Sequence, residues 1–75
     1  MNNFKLPELP IGTRGTARLL IDMYTRQYLL SNGFKVTKYE LMIFMSAQTK
    51  FGEIVVYPGD VLTYVGDKKW SVSRK

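Results

Sequence analysis

The side chains able to do chemistry in this chain are carboxylates, hydroxyls and cations, because histidine and cysteine are both absent. Nucleophilic catalysis of the triad or Cys-His kind needs an imidazole base, so Ser46, Ser71 and Ser73 have no partner to activate them. Metal ligation is restricted to carboxylates and backbone oxygens. General acid–base work needs two carboxyl groups brought together from Glu8, Asp22, Glu40, Glu53, Asp60 and Asp67. Asp60 and Asp67 are the closest matched pair, and both fall in turns, where Asp bonds its own backbone. Gly12-Thr13-Arg14-Gly15 precedes a helix with the glycine spacing of an anion cradle, and it equally suits a flexible helix entry. The expectation is a non-enzymatic binding protein with no catalytic residue, no cofactor and no metal.

The cations point to the kind of partner. Eleven Lys and Arg face six Asp and Glu, a net charge of +5, which favours nucleic acid, an anionic surface or an acidic protein face. The basic residues are scattered, as they also are on an ordinary solvated surface. No stretch approaches the roughly 20 apolar residues of a membrane span, and the N-terminus has no signal-peptide pattern. A cytoplasmic monomer without a membrane partner is therefore expected.

Seventy-five residues make one domain, whose thin core hides about 60% of the surface the unfolded chain exposes. Residues 1–13 read as an extended, partly flexible arm, since Pro7 and Pro10 exclude helix; residues 14–75 form the α+β domain. Phe4, Leu6 and Leu9 make the arm apolar, either to cover the core or to dock on a partner. Thr16 is a candidate N-cap, with Thr13 one turn earlier, for a helix carrying Leu19, Leu20, Met23, Tyr24, Tyr28, Leu29 and Leu30. Asp22 and Arg26 are spaced as an i,i+4 pair, and Asn32-Gly33 ends the helix. Arg14, Arg18 and Arg26 share much of its exposed face.

Residues 34–46 have two readings. Thr37 and Glu40 form a capping box, which makes the run a helix with Leu41, Phe44 and Met45 on one side. Alternation of Thr37, Tyr39, Leu41, Ile43 and Met45 makes it a strand, and a short continuous apolar run does not separate the two. As a helix the run must bury Leu41 to Met45; as a strand it puts Lys38, Glu40, Met42 and Phe44 on the other face. The strongest β signals lie beyond. Glu53–Tyr57, Val61–Val65 and Trp70–Ser73, joined by turns at Pro58-Gly59-Asp60 and Gly66–Lys69, predict an antiparallel meander. Trp70 and Val72 close its core.

Leu41–Met45, the polar loop Ser46–Gly52, Glu53–Tyr57, Pro58-Gly59-Asp60-Val61-Leu62 and Trp70 together resemble SH3-like small barrels. That likeness implies a strand at 39–46 and a curled sheet of three or four strands packed by the helix. It does not imply proline-rich peptide binding, because the acidic loop and the later proline and tyrosine of signalling SH3 domains are missing. In size, charge and lack of cysteine the chain also resembles small bacteriophage-encoded regulators that redirect host RNA polymerase.

Two functions stand side by side. In the first, a regulator of transcription binds and inhibits a larger host protein with an acidic surface, such as RNA polymerase. Contacts come from Arg14, Arg18, Arg26, Tyr24, Tyr28, Lys68 and Lys69, or from the arm through Phe4, Leu6 and Leu9; Tyr57 is a further anchor. In the second, a helix at 37–50 gives two helices plus a β-hairpin wing, a winged-helix or excisionase-like DNA-binding arrangement. Lys38 and Lys50 then enter the major groove, and Lys68 and Lys69 contact phosphate. A barrel variant stacks single strands on Trp70 and Tyr64.

Overall fold

In a computed structural model that describes residues 8–74, the chain builds an α+β domain of two helices and two three-stranded antiparallel sheets. The elements run β1 (Arg14–Thr16), α1 (Ala17–Met23), α2 (Arg26–Ser31), β2 (Phe34–Tyr39), β3 (Met42–Thr49), β4 (Gly52–Val55), β5 (Val61–Gly66) and β6 (Lys69–Ser73). One sheet has the order β1-β5-β6, the other β2-β3-β4.

The expected single helix is two helices. Thr16 caps the first, its hydroxyl accepting from the Leu19 amide, and Thr25 caps the second by accepting from the Tyr28 amide at 3.1 Å. Between them Tyr24 is extended, at φ −130 and ψ 152. The reason lies in the core. Leu20 and Leu29 are both fully buried, yet nine residues at 3.6 per turn are about two and a half turns, which puts them on opposite sides of one continuous helix. Breaking the axis at a threonine able to recap it turns both leucines inward. Arg26 then opens α2, so the Asp22–Arg26 spacing no longer falls within one helix.

The 34–46 run is neither a helix nor one strand. It is a hairpin, with Phe34 opposite Ala47 and Tyr39 opposite Met42. The capping-box reading fails because Thr37 pairs with Phe44 in the ladder and Glu40 sits at φ 47 in the connecting turn. The predicted meander is also divided. β5 and β6 pair as expected, Tyr64 facing Trp70, but the Glu53 strand pairs with β3 instead, Ala47 facing Ile54. Pro58-Gly59-Asp60 is accordingly a corner between sheets rather than a hairpin turn. Buried Asp60 holds it by accepting from the Tyr57 amide at 3.0 Å while its own amide donates to the Tyr57 carbonyl at 3.1 Å. Arg74 braces the corner from outside, 3.7 Å from the Asp60 carboxylate and 5.3 Å from the centre of the Tyr57 ring. The glycine-spaced stretch before α1 is no anion cradle. Its backbone extends the β1–β5 pairing, Gly12 donating to Tyr64 and Tyr64 to Thr13.

Both helices and both sheets feed one core, centred on Trp70, Tyr64 and Phe34 with Leu9, Leu20, Leu29 and Leu62. Trp70 packs edge-on against Tyr64, centroids 5.0 Å apart, and tilted against Phe34 at 6.0 Å, arrangements worth about 0.5–1.5 kcal/mol each beyond burial. Its indole Nε1 donates to the Asn32 carbonyl at 2.8 Å. The buried Asn32 side chain accepts from the Leu9 amide at 3.1 Å and donates to the Tyr28 carbonyl at 2.9 Å. One residue therefore ties the N-terminal segment, the end of α2 and the central tryptophan together. Gly33 follows at φ 88, against the β5–β6 turn, and a Cβ there would stand 2.2 Å from the Lys68 carbonyl oxygen.

Replacing Gly33 by Ala combines a left-handed backbone penalty with a backbone clash, so a loss of about 2–4 kcal/mol is expected. Urea denaturation measures it; a loss below about 1 kcal/mol would show that the Asn32–Gly33 corner relaxes freely.

Candidate docking surface

The structure distributes the sequence-predicted contact residues over several elements. Arg14 lies in β1, Arg18 in α1 and Arg26 at the start of α2, so the basic stripe is not one helix face, although all three are exposed. Tyr24 and Tyr28 are half-buried and pack edge-to-face with centroids 5.5 Å apart, partly against the core. Lys68 and Lys69 are at the β5–β6 turn, where Asp67 and Lys68 take φ 59 and 58. Leu9 is packed in the core, which withdraws its side chain from any partner. Phe4 and Leu6 lie outside the described residues.

Three of the carboxylates serve structure. Asp60 holds the inter-sheet corner. Glu8 accepts from the Tyr64 hydroxyl at 2.9 Å and from the Asp67 amide at 3.3 Å, while the Tyr64 oxygen accepts from the Lys68 amide at 3.0 Å. Glu53 accepts from the Ser46 hydroxyl at 2.6 Å. Among the described residues no group of three or more carboxylates is placed to hold a metal ion. Trp70 is 1% exposed and Tyr64 0%, so neither offers a ring face to a nucleic-acid base.

The surface that stands out is the run that the helical reading would bury. Leu41, at the turn between β2 and β3, is 100% exposed, and Met42, Ile43 and Phe44 are exposed beside it. Leu41, Met42 and Phe44 line a shallow concavity of about 300 Å³ with Glu40. The hairpin runs past the core. Phe34 and Ala47, paired at its base, are buried, whereas the pair Lys38–Ile43 near its end is exposed on both sides. Its turn breaks local rules as well as burial rules. Glu40 takes a positive φ that costs a non-glycine residue about 1–2 kcal/mol, and no glycine, asparagine or proline eases it. Such departures collect at functional sites.

Two further grooves flank the hairpin's base. One, of about 370 Å³, runs between the sheets along Phe51, Ile54, Val65, Trp70 and Val72, with Phe51 projecting at the β3–β4 turn. The other, of about 310 Å³, lies between α2 and β2, lined by Arg26, Gln27, Leu30, Lys35, Val36 and Thr37. Fold and surface together define a small α+β domain with a closed core and an apolar projection. Compared with protein families, curated proteins and solved structures, the chain shows no match.

Burial raises the Tyr64 phenol above its ordinary value of 10.0; the Lys68 amide opposes this and the Glu8 carboxylate adds to it. A folded-state value above the unfolded one contributes stability that is complete below about pH 10 and is lost as pH rises through the folded value. The urea midpoint is therefore expected to fall above about pH 10. In Tyr64→Phe that part of the alkaline decline should vanish, against a lower midpoint at neutral pH from the lost Glu8 and Lys68 bonds. Identical alkaline limbs in the two proteins would show that Tyr64 does not titrate with folding.

Proposed function

We propose that the protein is a non-enzymatic docking module that binds and modulates a larger macromolecular machine, with the end of the β2–β3 hairpin as its anchor. The observation that carries this reading is the exposure of Leu41, Met42, Ile43 and Phe44 in a chain that closes its core without them. Solvent-exposed apolar clusters of this kind mark interaction sites, and a few buried apolar anchors supply most of the affinity of a protein interface. The net charge of +5 and the exposed Arg14, Arg18 and Arg26 suit an acidic partner surface and speed the encounter by long-range attraction.

Size, charge and absence of cysteine support assignment to the class of bacteriophage-type regulators, with host RNA polymerase as the partner and transcription as the process inhibited. The packing of β3 against β6 is compatible with the curled, SH3-like sheet that accompanies this reading. The winged-helix alternative loses its premise, since residues 37–50 form no recognition helix.

The test uses the folded chain and a double variant, Leu41→Asp with Phe44→Asp, on purified bacterial RNA polymerase. The variant is expected to stay folded, because Leu41 is fully exposed and Phe44 lies outside the core, and to lose about 100-fold or more in affinity. Wild-type protein that fails to bind polymerase removes that partner. Equal binding by the double variant removes the hairpin as the anchor. Strong, steeply salt-dependent binding to mixed-sequence DNA, or capture by anionic vesicles, would replace the protein partner altogether.

A further inference from the structure

The β2–β3 hairpin has a second property that its apolar end does not use. β2 is an edge strand of its sheet, and the ladder fixes which of its backbone groups face outward. The Gln48 amide donates to the Gly33 carbonyl, and with Phe34 opposite Ala47 the mutually bonded pairs are Lys35–Ser46, Thr37–Phe44 and Tyr39–Met42. The N–H and C=O groups of Val36 and Lys38 therefore point away from β3, into the side where the groove between β2 and α2 opens. Among the described residues no backbone group bonds to them.

The groove beside this edge is basic. Arg26, Lys35 and Lys38 are exposed beside it, and among the described residues no carboxylate lines the groove itself, Glu40 lying at the hairpin turn and Glu53 in the concavity on the far side of Lys35. Leu30, exposed on α2, and the half-buried Val36 provide its apolar floor. A second copy of the chain is a poor occupant. Antiparallel β2–β2 pairing centred on Val36 or Thr37 would bring two sets of Arg26, Lys35 and Lys38 together, and edge lysines are a common device against such self-pairing. A strand of opposite charge meets none of that repulsion.

We infer that the β2 edge and the α2 groove receive an extended acidic segment of the partner, which adds as a strand along Val36 and Lys38. This rests on the docking-module reading and deepens it: backbone bonds give the register, Leu30 and Val36 seat alternate apolar side chains, and Arg26, Lys35 and Lys38 select acidic neighbours.

The test is an NMR titration of the ¹⁵N-labelled chain with an end-blocked peptide of alternating valine and glutamate. The amides of Val36 and Lys38 are expected to shift most and to exchange more slowly with solvent, and affinity should fall as salt is raised. Val36→Pro removes an outward donor without touching the β3 ladder, as proline is tolerated at a strand edge, and should weaken binding about tenfold. Arg26→Glu with Lys38→Glu should do the same without altering the backbone, and covers the case in which the proline variant fails to fold. Leu41→Ser, which adds no charge beside the edge, should leave peptide binding unchanged, which separates this edge from the hairpin's end. Shifts confined to the inter-sheet groove or the hairpin end, no shifts at all, or equal binding of a lysine-for-glutamate peptide would each overturn the inference. So would a wild-type dimer that Val36→Pro dissociates, since the edge would then belong to a second copy.

Discussion

The hydrogen bond from the Trp70 indole to the Asn32 carbonyl is the constraint around which the remaining packing is arranged. A buried tryptophan needs a partner for its N–H, and an unmade bond there costs about 1–3 kcal/mol. Supplying that partner from the C-terminal cap of α2 fixes where the helix must end relative to β6. The Asn32 side chain then fastens Leu9 and the last turn of α2 to the same point, and Gly33 allows the chain to pass against the β5–β6 turn. β2 starts immediately afterwards, with Phe34 against the Trp70 ring. The hairpin is therefore aimed by its base and needs nothing from its end.

That division explains how a chain of 75 residues leaves so much apolar surface in water. The core is complete at Phe34, Ala47, Leu62, Tyr64 and Trp70, and among the described residues every buried side-chain nitrogen or oxygen has a partner. Beyond Val36 and Met45, which pack on the core's rim, the two strands continue as a paired ladder whose Lys38, Met42, Ile43 and Phe44 are exposed. An isolated two-stranded ribbon is marginal in water, so the hairpin's outer half draws its order from the rigid base. On the docking-module proposal, a partner surface supplies the second support.

Much of the architecture was legible in the sequence, for identifiable reasons. Thr16 as cap, Asn32-Gly33 as helix end, Trp70 as core and the β5–β6 hairpin each follow from local chemistry that the fold did not override. The break at Thr25 was hidden because the apolar spacing of Leu19 to Leu30 suits a helix; only the burial of Leu20 and Leu29 together requires a bend. The hairpin at Glu40-Leu41 was hidden more deeply. Its turn contains no residue that favours a turn, and a run such as Leu41-Met-Ile-Phe-Met45 reads as core by rules that place continuous apolar runs inside. The one available signal was the conflict between the capping-box and alternation patterns. The exposed arginines were legible as surface, but a broken helix and a strand separate them in ways that spacing does not encode.

The Asn32-Gly33 pair carries one more consequence. In an open chain an asparagine followed by glycine is chemically short-lived, because the glycine amide nitrogen is free to attack the side-chain carbonyl, form a cyclic imide and release ammonia. Here that nitrogen is engaged with the Leu30 carbonyl at 3.1 Å, and the side-chain amide is buried and held at both ends. The reaction is shut off while the fold persists. Once it occurs, the product puts an acid where a donor to Tyr28 was needed. The slow conversion of Asn32 would thus record the time each molecule has spent unfolded, and would keep an aged chain from returning to the native state.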